Sequence, residues 1–255
     1  MAESTQTILQ HFMGGVNNVP PEDPMSKLDM LDPTKYGIWF DDFIDIDTAD
    51  YPADSDAVAK KYTVTLDTEL DYDVSFGGTT GAIILTTEGG DTEGGQLYST
   101  AAPFQLTAGK KAFFECKFNT TIGAGTIGQE SLFFGLAKIQ TSTNFIDDAG
   151  TLIAGDNVWG FVSYDAEAGV DAIIRASDEL TTSSDLHTLV SGTNVILSLY
   201  YDGISTYAYA DGVLKATMTG THPTATALAL MVHYKSQEAA VKVLTLDYIF
   251  AAVER

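Results

Sequence analysis

Three carboxylates stand at alternate positions in Glu69-Leu70-Asp71-Tyr72-Asp73. On an extended strand alternate side chains share one face. Two carboxylates facing one groove are the minimum for glycosidic cleavage, one as acid and one as base or nucleophile. The full strand-borne pattern for that chemistry reads Glu-x-Asp-x-x-Glu. Here the last acid is an aspartate and comes one position early. Only two tryptophans, Trp39 and Trp159, exist to line a sugar groove. The segment therefore reads as an acidic turn between strands, and no catalytic residue is assigned.

The other reactive types are as sparse. His11, His187, His222 and His233 are scattered, with no i,i+4 pair and no cysteine partners, so no zinc site is expected. No phosphate-binding glycine loop and no Gly-x-Ser-x-Gly elbow occurs. The single cysteine, Cys116, lies in Ala-Phe-Phe-Glu-Cys-Lys-Phe (112–118). Alternation puts it on one face with Phe114 and Phe118, as a buried structural thiol. Asn144, Asp147 and Asp148, and separately Asp41, Asp42, Asp45 and Asp47, offer hard oxygen ligands of the calcium type. In so acidic a chain they read as solvated loops. No cofactor-binding or metal residue is assigned.

The elements around these groups are strands. Val195 to Thr219 reads as a three-stranded meander turned at Asp202-Gly203 and Asp211-Gly212, dipeptides suited to type I′ hairpins. Its flanks are rich in Val, Ile, Leu, Tyr and Thr. Alternation places Tyr207 and Tyr209 on one face, as half-buried cross-strand partners or as the lining of a glycan-binding sheet. The same texture predicts strands at 38–43, 61–66, 72–76, 82–87, 96–99, 104–106, 111–120, 131–139, 158–164, 172–176, 195–201, 204–210, 213–219, 227–234 and 241–253. Fifteen short strands with antiparallel neighbours predict two packed sheets.

Residues 1–37 differ. They hold Pro20, Pro21, Pro24 and Pro33, four of the seven prolines. Apolar residues nevertheless recur: Ile8, Leu9, Phe12, Met13, Val16, Met25, Leu28, Met30 and Leu31. A solvated linker has few of these. Thr5 to Met13 fits a short amphipathic helix. The rest fits an extended arm, about 120 Å long at full stretch. Its partner-binding side chains are expected to be Ile8, Phe12, Met13, Val16, Met25, Leu28, Met30 and Leu31, buried on a neighbouring subunit; the alternative is that the arm wraps its own domain. The chain thus divides into an arm, 1–37, and a β-sandwich, 38–255.

Thirty-five acidic residues against 13 basic ones give a net charge of −22. Such a surface repels phosphate backbones and anionic lipid, so neither nucleic acid nor membrane is an expected partner. The start, MAESTQTILQ, lacks the basic and apolar regions of a secretory signal. Synthesis in a cytoplasm without export by that route is expected.

One group of segments carries a resemblance. They are Phe40-Asp41-Asp42-Phe43, Ala108 to Glu115, Leu132 to Ala137, Tyr200-Tyr201-Asp202-Gly203, Tyr209 to Leu214, and Leu244 to Ile249. In this order they resemble the concanavalin A-like, laminin-G-like jelly rolls of tailed-bacteriophage virion proteins, across about residues 38–255. The resemblance implies an all-β, two-sheet antiparallel jelly-roll sandwich with an extended N-terminal arm. It further implies a non-enzymatic capsid decoration (cement) protein on the virion surface. Its partners would be the major capsid protein and copies of itself, as a homotrimer. The alternative is a lectin-like module of a fibre or tail that binds a glycan.

Overall fold

The computed structural model describes residues 34–43, 61–66, 72–76, 81–123, 125–139, 145–147, 152 and 157–255. They form fifteen strands and no helix. In chain order these are β1 (Tyr36–Asp41), β2 (Tyr62–Leu66), β3 (Tyr72–Phe76), β4 (Ile83–Thr87), β5 (Gly94–Ser99), β6 (Ala112–Ile122), β7 (Glu130–Ala137) and β8 (Val158–Ser163). Then come β9 (Gly169–Ala176), β10 (Glu179–Thr188), β11 (Val195–Tyr201), β12 (Thr206–Ala210), β13 (Val213–Met218), β14 (Ala229–Ser236) and β15 (Lys242–Glu254).

The strands make two antiparallel sheets. The eight-stranded sheet runs β13-β12-β11-β6-β15-β4-β3, with β1 also paired to β15. The seven-stranded sheet runs β10-β9-β8-β7-β14-β5-β2. The expected all-β, two-sheet jelly-roll sandwich is therefore the fold. The predicted arm and its helix, with Ile8, Phe12, Met13, Val16, Met25, Leu28, Met30 and Leu31, lie outside the described residues.

Alternation along the longest strands explains the core. Phe114, Cys116 and Phe118 of β6 point inward, as do Leu132, Phe134 and Leu136 of β7. Phe118 and Phe134 meet across the sheets with ring centroids 4.3 Å apart. Trp159 also points inward, and its indole N–H donates to Thr206 Oγ1 at 2.9 Å. Strands β7 and β14 are buried at every position, which requires cover on both faces of their sheet.

Four local readings are corrected. Glu179–Thr188 is a strand that its polar sequence, ELTTSSDLHT, does not announce. It is the exposed edge of the seven-stranded sheet, broken by a register shift between Ser183 and His187. An edge strand needs no apolar alternation, and polar residues with a bulge suppress further pairing. Residues 104–106 make only an isolated bridge, Phe104 to Leu228. Asp202-Gly203 is not a two-residue hairpin. Tyr201 and Thr206 pair, so four residues turn, and Asp202 Oδ1 accepts the N–H groups of Ile204 and Ser205 at 2.8 and 2.7 Å. β1 begins two residues ahead of the predicted start, at Tyr36. Asp211-Gly212 does turn as expected, with φ of 50° and 74°.

Candidate binding surfaces

Cys116 is fully buried, and burial first, then the Glu115 charge, pushes its thiol well above the usual range. A neutral thiol without access is no nucleophile. Of the acidic segment 69–73, only Tyr72 and Asp73 fall within a described strand, β3 at a sheet edge. Among the described residues, no three His, Cys, Asp or Glu side chains are grouped to hold a metal ion. Asp41, one of the calcium candidates, acts as a structural hub. Its Oδ1 accepts the Phe43 N–H, its Oδ2 accepts the Tyr62 hydroxyl, and Lys61 lies 3.7 Å away. Asn144, Asp148, Asp45 and Asp47 lie outside the described residues.

The two outward sheet faces are the broad surfaces that a sandwich presents. On the seven-stranded sheet the outer face is filled. Phe133 lies over two glycines: a Cβ at Gly160 would sit 2.8 Å from the Phe133 Cζ atom, and one at Gly135 3.1 Å from it. Phe145, from the β7–β8 connection, packs on that ring at 4.6 Å between centroids. Ile146, Ile173, Met231, Val162 and Leu152 complete the cluster.

The outer face of the eight-stranded sheet is aromatic. Tyr36, Phe113, Tyr200, Tyr209, Phe250 and Ala252 are buried there, with Ile38, Phe40, Tyr207 and Tyr248 packed against them. Tyr200 and Tyr207 are a cross-strand pair with rings 5.9 Å apart. At its polar side Glu115 accepts hydrogen bonds from Ser198 Oγ at 2.7 Å and Tyr248 OH at 2.8 Å. Burial, then the Glu115 carboxylate, raises the Tyr248 hydroxyl far above the ordinary tyrosine value, so it stays a donor. The sequence reading missed this face. Its signal was the other half of the β6 alternation, Phe113, Glu115 and Lys117.

A cavity of about 410 Å³ opens where β1 meets the end of β15. Trp39, Phe104, Pro103 and Val253 give it apolar walls, and Gln105 and Arg255 give it polar ones. Trp39 is fixed there by its N–H bond to Tyr62 OH at 3.1 Å. A third feature closes the far end of the sandwich. The Lys242 ammonium lies among four oxygens: the carbonyls of Thr126 (3.1 Å) and Gln129, and the carboxylates of Glu130 and Glu238 (3.0 Å each).

No family model and no curated protein matches this sequence. Solved structures do. The chain is similar to the endo-1,3-β-glucanase of Streptomyces sioyaensis at 12% identity and TM-score 0.56, covering 88% of this chain and 98% of that one. It is similar to the carbohydrate recognition domain of Emp47p at 10% identity and TM-score 0.59, covering 86% and 97%. It is similar to peanut lectin at 13% identity and TM-score 0.53, covering 86% and 97%. At these identities the likeness speaks for the fold alone, which lectins and hydrolases share. The described chain has the concanavalin A-like jelly-roll fold.

Proposed function

We propose that this protein is a non-catalytic structural component of a virion, a jelly roll that decorates a capsid and steadies it by surface contact. The observation that carries the reading is the filled outer face of the seven-stranded sheet. Among the described residues, Phe133, Phe145 and Met231 fill the centre of that face with apolar side chains. A face filled in this way suits broad surface contact. A net charge of −22 suits a surface turned to solvent and away from a nucleic-acid genome. Contacts with the major capsid protein and with further copies of this chain, as a homotrimer, belong to the same proposal. The test is co-sedimentation of the purified full chain with virions. Saturable occupancy of the shell is the expected result, and no retention on intact particles overturns the reading.

A second reading, glycan binding for host attachment, rests on the cavity beside Trp39. It combines an aromatic wall with hydrogen-bonding side chains, which is what sugar recognition uses. Carbohydrate recognition domains among the similar structures support it. Retention on a glycan array, lost in Trp39→Ala, would favour this reading over the first.

A further inference from the structure

Phe113, Phe250 and Ala252 point away from the space between the sheets, yet all three are 0% exposed. Tyr36, Tyr200 and Tyr209 on the same face are 2%, 6% and 3% exposed. All ten side chains of this cluster come from β1, β6, β11, β12 and β15, strands of one sheet. Side chains stand roughly perpendicular to a sheet, so one layer does not cover itself. A second layer must lie on this face.

We propose that this layer is the chain's own N-terminal segment, residues 1–33, folded back across the eight-stranded sheet. The segment joins the fold at the right place. It ends one residue before Thr34, and Tyr36 is the first member of the aromatic cluster. Its length suffices. The face from β1 to β12 spans four strand spacings, about 19 Å, against about 110 Å of extended chain. Its composition fits. It carries Ile8, Leu9, Phe12, Met13, Val16, Met25, Leu28, Met30 and Leu31. The segment 44–60 is less suited, since it carries Asp45, Asp47, Asp50, Asp54 and Asp56. The segment 67–71 has Asp67, Glu69 and Asp71 among five residues.

The test is photo-crosslinking in the full chain. Benzoylphenylalanine replaces Phe12 in one variant and Leu31 in another, and the products of irradiation are mapped by mass spectrometry. Crosslinks within one chain onto β6, β11, β12 or β15 are the expected result. Crosslinks onto the seven-stranded sheet, crosslinks between chains, or none at all overturn the proposal. A second readout is hydroxyl-radical footprinting of a full-length Phe12→Ser, Leu28→Ser, Leu31→Ser variant. Oxidation of Tyr200, Tyr209 and Phe250 should rise about tenfold, while core Phe134 and Trp159 stay protected. Unchanged oxidation at those three rings, with the fold intact by circular dichroism, overturns it as well. Exposure of the same rings after Ile44→Ser and Ile46→Ser instead would assign the cover to 44–60.

Discussion

Glu130 and Lys242 stand 112 residues apart in sequence, yet their charged atoms meet at 3.0 Å with both side chains fully buried. The pair joins the first residue of β7 to the first residue of β15. Gly128 N–H also donates to Glu130, and the Thr126 N–H donates to Glu238. Burial raises the Glu130 carboxyl from its usual value, and the Lys242 ammonium beside it opposes that rise.

Removing one partner of a buried pair strands the other charge, at a cost of about 3–5 kcal/mol. Lys242→Met should therefore cost that much, because it leaves Glu130 and Glu238 facing one another without their cation. Glu130→Gln in the same background should recover part of the loss. Urea unfolding of the two variants checks this, and a Lys242→Met midpoint equal to wild type would refute it.

The sandwich itself was legible, because alternation and turn residues act over a few positions. β11 was read at its observed bounds, and the inward face of β6 followed from AFFECKF alone. What was not legible depends on contacts distant in sequence. The Lys242 cage joins residues 126–130 to 238–242, and nothing near Lys242 announces it. β10 was missed because an edge strand with polar residues has no pattern to read. The Asp202 turn misled for a third reason. A side chain that accepts the N–H groups at 204 and 205 can hold a four-residue turn where the dipeptide suggests two.

His222 predicts a pH response. It shares a 2.8 Å hydrogen bond with Thr206 Oγ1 and lies 4.4 Å from the Tyr201 ring. Burial lowers its pKa, against the opposing pull of a Gly220 backbone bond and the Asp202 charge. The unfolded chain then binds the proton more readily than the native one, so stability rises with pH. This contribution is complete above the unfolded value of about 6.5 and is lost as pH falls below it. Denaturation between pH 7.5 and 5.5 should show the slope in the wild type and a weaker one in His222→Gln. Parallel slopes would rule the assignment out.

Gly160 should tolerate no side chain. A Cβ there would come 2.5 Å from the Phe134 carbonyl oxygen and 2.7 Å from the Phe133 ring. Backbone does not yield cheaply, and overpacking costs about 1–3 kcal/mol. Gly160→Ala should lower the melting temperature and loosen Phe133 and Phe145 together. A near-ultraviolet circular dichroism spectrum identical to wild type, with an unchanged melting point, would contradict the packing described.

The Asp202 turn gives the last prediction. Its carboxylate accepts two backbone N–H groups and the Tyr207 hydroxyl at 3.0 Å. Burial works to raise its pKa, but the Ser205 and Ile204 N–H groups and Tyr207 outweigh it and hold the carboxyl below the usual value. A depressed native pKa means stability that is present above the unfolded value of about 3.9 and lost as pH falls through the native one. Asp202→Ala removes the anchor of the β11–β12 turn and should cost about 1–2 kcal/mol, the scale of a lost side-chain cap. The substitution should also deepen the His222 effect, because the Asp202 charge favours the protonated imidazole. A wild-type Asp202→Ala midpoint at pH 7, or a shallower slope through pH 6, would break this link between the two residues.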